Sequence, residues 1–254
     1  MCAGSNPAEG AIQLASLPDD VTEVTDSLHR GITEILGGAP ASFFLYGAVA
    51  FPRPEGWRID FDFHVLVHHP LDDAERAAIE TLHAKVGAAS ELGRDLDGYY
   101  VLLEDARRAD PPVHQLDLTV RDEAWALHRA HVLAGRCFLV TGIDPQEIVP
   151  TPSWAELEAA LHAEMRFVET HPSAPAFGIL NGARILHSFE TRDVVESKYQ
   201  AAQWALESLP DEWHDAVRAA LRFYARTAAA GDARILDASW APFVSYVRRS
   251  IPRT

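Results

Sequence analysis

The chain has 254 residues, 48% of them hydrophobic and 23% charged, with a formal net charge of −15. Such a length holds one large domain or two modest ones, and such acidity argues against the basic, phosphate-attracting surface that nonspecific nucleic-acid binding needs; it would attract a cationic small molecule instead, and the plainer reading is that it aids solubility. No apolar run reaches the roughly eighteen residues that span a bilayer, and "MCAGSNPAEGAIQLASLPDD" has neither a basic nor a continuous apolar leader segment, so a soluble, cytoplasmic protein with no membrane partner is expected.

In chain order, residues 1–20 are polar and read as a disordered or extended start. In "DDVTEVTDSLHRGITEILGG" the apolar residues Val21, Val24, Leu28, Ile32, Ile35 and Leu36 recur at helical spacing, with Asp19 or Asp20 as N-cap and a Gly pair as stop. "ASFFLYGAVA" predicts a short buried strand that ends in a Gly turn. "RIDFDFHVLV" predicts a second strand, "LDDAERAAIETLHAKVGAA" an Asp-capped amphipathic helix, "GYYVLLE" and "VHQLDLTV" two further strands, "RDEAWALHRAHVLA" a helix, and "RCFLVTG" a last extended segment. This is an α/β domain over 21–150. The Pro-rich "DPQEIVPTPS" reads as a linker, and Ser153 caps the first of several helical periods that fill 151–254, an all-α bundle. Cys2 and Cys137 form neither a zinc motif nor a disulfide framework.

The second strand breaks the rules of strand composition. Successive side chains of an extended chain point to opposite faces, so Asp60, Asp62 and His64 share one face and Phe61, Phe63, Val65 and Val67 the other. Two like charges aimed at one small volume cost energy unless water or a cation compensates them, and carboxylate oxygens suit Mg²⁺; the plainer reading is a solvated edge strand. Gly47, thirteen residues upstream, allows a tight turn or close backbone approach to a phosphate. In "HQLDLTV", Asp117 alternates with apolar neighbours and projects from a polar face; if that strand pairs with the Asp60 strand, three carboxylates converge, as metal-assisted phosphoryl or nucleotidyl transfer requires. Glu104 and Asp105 compete for the third place, although adjacent residues point apart. His64 reads as a hydrogen-bonded strand histidine, His68 and His69 as surface, and Trp57 as a packing residue.

A strand, "LYG", a short loop, "DFD" on a strand and then an apolar-Asp-apolar segment together resemble the polymerase-β-like nucleotidyltransferases. In the second half, "ELEAALHAEM", "ILNGARIL" and "VVESKYQAAQWALESLPDEWHDAVRAALRFY" resemble the helical domain of the aminoglycoside adenylyltransferases that modify streptomycin and spectinomycin. The resemblance implies an N-terminal α/β (α+β) domain with a mixed sheet, a C-terminal helical bundle, and an active site between them. It implies AMP transfer from ATP to a hydroxyl of a small cationic acceptor by a monomer. Asp60 and Asp62 would hold Mg²⁺, with Asp117 as third carboxylate and general base, Gly47 and Ala48 at the triphosphate, and Lys198 on the nucleotide phosphates. The chain departs from the family pattern at Ala48, where a serine is usual, at Asp117, where the streptomycin enzymes have Glu, and at "HPSAPAFG", which lacks the acid that those enzymes present to the drug. The segment after Asp117 is also shorter. A non-catalytic binding relative, or a transferase with a protein or metabolite acceptor, is the alternative.

Overall fold

The computed structural model describes residues 17–252, so Cys2 and most of the expected extended start lie outside the described residues. The chain divides into two compact units. One contains the described residues up to Ala50 together with Ile59–Thr151; the other contains Phe51–Arg58 and the residues from Pro152 onward.

The first unit opens with α1 (Asp19–Ile35), whose residues Val21, Val24, Leu28 and Ile32 are buried, the one-sided stripe that an amphipathic helix offers to a core. Its N-cap is Pro18, with no side-chain cap; the expected cap residues Asp19 and Asp20 are instead the first two residues of the helix, where their charge favours its N-terminus. Then follow β1 (Ser42–Leu45), a single 3₁₀ turn (Gly47–Ala50) and β2 (Phe61–Val67). Helix α2 (Asp73–Ala89) starts with a full capping box between Asp72 and Glu75. After it come β3 (Leu96–Leu102), a short α3 (Leu103–Ala106), α4 (Trp125–Leu133) and β4 (Phe138–Gly142).

The strands form a mixed sheet in the order β3-β2-β1-β4, with β2 parallel to β3 and β1 antiparallel to both of its neighbours. One face packs Phe43, Leu45, Phe61, Phe63, Val65 and Tyr100 in a core with Val24, Leu28 and Ile79. The other carries Phe44, Tyr46, Leu66 and Val101, which cluster with Trp125 and Val132 of α4. The register arranges that second face in rows across β1, β2 and β3: Phe44, His64 and Tyr99 in one, Ser42, Leu66 and Val101 in the next.

The strand expected over "VHQLDLTV" does not form. Val113 makes an isolated bridge to Arg121, while His114 N–H donates to the Val120 carbonyl and closes a loop. The burial is the reverse of that expected from the alternation, with Gln115 buried and Leu118 56% exposed. Asp117 accepts hydrogen bonds from the backbone N–H and hydroxyl of Thr119, a local turn that competes with ladder pairing. The expected "GYYVLLE" strand starts two residues earlier and stops at Leu102, so Glu104 and Asp105 belong to α3.

The second unit is helical: α5 (Trp154–Thr170), α6 (Pro175–Thr191), α7 (Lys198–Ser208), α8 (His214–Tyr224) and α9 (Asp232–Ser250). Ser153 caps α5 through a capping box with Glu156, as expected. Helix α9 carries Pro242 inside. Bidentate pairs of Arg248 with Glu169 and of Arg222 with Asp232 tie distant turns together. Trp57 packs here, its ring centroid 5.3 Å from that of Tyr224 and 5.4 Å from that of Tyr199, and the Arg58 N–H donates to the Tyr224 carbonyl at 2.7 Å. No helix among the described residues is long and apolar enough to cross a membrane.

Asp72→Ala removes the reciprocal cap of α2 and is expected to lower stability by about 1 kcal/mol, read as a shifted urea midpoint at constant slope.

Candidate active site

Strand β2 carries Asp62 as its second residue, half-buried, on the face that carries His64 and Leu66. Directly across the parallel ladder from Asp62 stands Asp97 of β3, exposed at the strand's start. On the other side Tyr46 donates its backbone N–H to the Asp62 carbonyl at 3.1 Å, which extends the β1 pairing by one residue. Tyr46, Asp62 and Asp97 thus form the outermost row of this face, one pleat beyond Phe44, His64 and Tyr99. Burial raises the pKa of the Tyr46 hydroxyl well above its ordinary value, and the negative charges of Asp62, Asp97 and Asp122 raise it further, so the fields of these carboxylates meet at this phenol. Asp60 lies one residue ahead of β2 and is half-buried.

Gly47 explains how a carboxylate fits here. Its φ is +65°, in the left-handed region, and a methyl group on its Cα would occupy the space taken by Asp62 Oδ2. The missing side chain is therefore the seat of the Asp62 carboxylate, a contact the sequence did not announce. Ala48 follows in the same 3₁₀ turn, half-buried. Hard oxygen donors on adjacent strands, with Asp62 held against a glycine, fit a hard dication such as Mg²⁺.

Asp117 does not join this row. It is exposed in its own turn, where hydrogen bonds from Thr119 hold its carboxyl below the ordinary range. Asp97, which sequence reasoning missed, occupies the position across from Asp62. The signal was present in "DLDGYYVLL", but the predicted strand began at Gly98 and left Asp97 outside by one residue.

Behind the row lies a second polar group that the sequence did not reveal. His64 is fully buried, and its Nε2 lies 3.2 Å from Asp122 Oδ2; His128 Nδ1 lies 2.9 Å from the same oxygen. Burial by itself pushes the Asp122 carboxyl up, but the charge and hydrogen bonds of His128 and His64 outweigh it and hold this carboxyl well below the ordinary range. Burial lowers the His64 imidazole, against the pull of Asp122.

Lys198 is the first residue of α7, behind the N-cap Ser197, in the second unit. Its Nζ lies 4.6 Å from the ring centroid of Phe177 and 5.7 Å from that of Tyr224, so the rings of this unit hold the ammonium.

Residues 149–250 match the family described as aminoglycoside adenylyltransferase, C-terminal domain. In three dimensions the chain resembles the crystal structure of spectinomycin adenyltransferase AAD(9) from Enterococcus faecialis with ATP and spectinomycin. The TM-score is 0.70 at 14% identity, covering 89% of this chain and 99% of that one, a likeness of fold. No curated protein matches the chain in sequence.

Gly47→Ala should destabilise the protein by more than the roughly 1–2 kcal/mol that a left-handed alanine costs, because Asp62 must also move. Gly37→Ala is the control, with the same φ of +65° and open space at the new methyl. Equal unfolding midpoints for the two variants would show that the Asp62 contact carries no energy.

Proposed function

We propose, for a chain that is aminoglycoside adenylyltransferase-like in its C-terminal domain and in its fold, that it transfers AMP from ATP to a hydroxyl of a cationic, aminoglycoside-like acceptor, releasing pyrophosphate. The observation that carries this reading is the row in which Asp62 lies against Gly47 and directly across the ladder from Asp97. A carboxylate pair on adjacent strands, presented beside a left-handed glycine, is what a nucleotidyl-transfer site needs and what a passive surface has no cause to assemble.

In the proposed reaction the acceptor oxygen attacks the α-phosphorus, the bond to the bridging oxygen breaks, and pyrophosphate leaves. Asp60 and Asp62 would hold Mg²⁺, which when bound supplies charge neutralisation at the phosphates. Asp97 takes the general-base place first expected for Asp117: it receives the hydroxyl proton, or orients that hydroxyl, from the position facing Asp62. Gly47 and Ala48 offer backbone N–H groups to phosphate, with no serine hydroxyl to add to them. Lys198 enters as a phosphate contact through the resemblance of its segment. The net charge of −15 draws a polycationic acceptor toward the protein. A spectinomycin-type aminocyclitol is the first acceptor to test, since the structural relative was crystallised with spectinomycin. Streptomycin ranks below it because "HPSAPAFG" offers no acid to that drug.

Incubation with Mg²⁺, ATP and a panel of acceptors, read by mass spectrometry, tests this directly; the expected product is an acceptor heavier by one adenylyl group. Asp97→Asn should lower turnover by about 10²–10⁴-fold with nucleotide binding largely kept, whereas Asp117→Asn should leave turnover within a few-fold. The opposite pattern would return the base role to Asp117, and absence of any adenylylated acceptor would favour a binding protein on this fold.

A further inference from the structure

We propose that His64, Asp122 and His128 form a second metal site, for Zn²⁺ or a similar borderline first-row dication, buried one pleat behind the carboxylate row and distinct from the all-oxygen Mg²⁺ position. Among the described residues these are the one group of three or more His, Cys, Asp or Glu side chains whose donor atoms all lie within 4.8 Å of one another. Zinc bonds of about 2.0–2.1 Å at tetrahedral angles place neighbouring donor atoms roughly 3.3 Å apart. The observed separations from Asp122 Oδ2 are 3.2 Å to His64 Nε2 and 2.9 Å to His128 Nδ1.

The surroundings are those of a preorganised site. The other oxygen of Asp122, Oδ1, accepts the Ala124 N–H at 3.1 Å, which fixes the carboxylate and leaves Oδ2 as a single ligand atom. The His64 ring is stacked between Phe44 (5.4 Å, 10°) and Tyr99 (5.8 Å, 21°), so its aim is set by packing. His64 Nδ1 has no hydrogen-bond partner, although the residue is fully buried. Tyr46 closes the group on another side, 4.8 Å from the His64 ring and 4.6 Å from the His128 ring. Three donors converging inside an aromatic enclosure, two of them imidazoles, favour a metal softer than Mg²⁺. Three protein ligands leave a fourth position open, and His128 is the partly exposed member through which an ion can enter. A bound ion would pin β2, immediately behind Asp62, to the start of α4. This proposal rests on the geometry of these three residues and does not depend on the transfer reaction.

The test is uptake of Co²⁺ and Zn²⁺ by the full chain after chelator treatment and dialysis into excess Mg²⁺. We expect one equivalent of Co²⁺ with the intense visible bands of a tetrahedral site, its displacement by Zn²⁺, and a rise in melting temperature with either ion. His128→Ala and Asp122→Asn should each abolish the bands, while Asp60→Asn and Asp62→Asn should keep them. Circular dichroism checks that each variant is folded; His128→Gln, closer in size, serves if His128→Ala is not. Absence of stoichiometric uptake by the unmodified protein overturns the proposal and leaves Asp122 as a carboxylate hydrogen-bonded to two imidazoles. So does uptake that survives loss of His128, or that disappears in Asp62→Asn.

Discussion

The parallel pairing of β2 with β3 is the constraint on which the rest of the first unit depends. It sets Asp62 against Asp97, His64 against Tyr99 and Leu66 against Val101, and so sorts one sheet face into a charged row, an aromatic row and an apolar row. A parallel pair needs a crossover, and α2 supplies it from the opposite face, where Ile79 and Val86 join the core around Phe63 and Tyr100. The register is held by shape as well as by hydrogen bonds. Any side chain at Gly98 would strike the Phe63 ring, so glycine directly across from Phe63 lets that ring lie over β3. A slip of β3 by one residue would put the ring against a substituted position and turn Asp97 to the opposite face, toward the core around Phe63.

That register also explains why acidic residues are tolerated in a strand. Asp62 and Asp97 are the second residues of their strands, half-buried and exposed, whereas His64 and Leu66 on β2 and Val101 on β3, further along the same face, are buried. Two residues further along β2, the same face is dry enough that His64 needs Asp122, and Asp122 in turn needs two imidazoles. The polar residues of this face thus fall along a gradient: open carboxylates at the rim, a compensated buried group one pleat in, and hydrocarbon beyond.

The second unit uses another device. Its helices bury small and branched side chains, and its long-range ties are charged pairs at partly exposed positions, such as Arg248 with Glu169. Exposed pairs of this kind contribute little energy singly, so aromatic packing carries more of the local order, as around Trp57, Tyr199 and Tyr224. The stretch Phe51–Arg58, which lies between two strands of the first unit in sequence, belongs to this second unit by packing.

What the sequence determined by itself was whatever depends on neighbours along the chain. Helical periodicity identified α1, α2 and the helices of the second unit, capping chemistry marked an Asp at the start of α2 and Ser153 at the start of α5, and alternation set Asp62 and His64 on one face. It misjudged the segment around Asp117, because an Asp-x-Thr turn and a half-buried strand share the same alternation, and only the competition between local hydrogen bonds and ladder pairing separates them. Tertiary structure alone decided that Asp97 faces Asp62, that Gly47 leaves room for the Asp62 carboxylate, and that Asp122 and His128 close on His64 from about sixty residues away in sequence. These pairings arise from strand order and from the docking of α4 on the sheet, and such long-range contacts leave no period in the sequence from which they could be read.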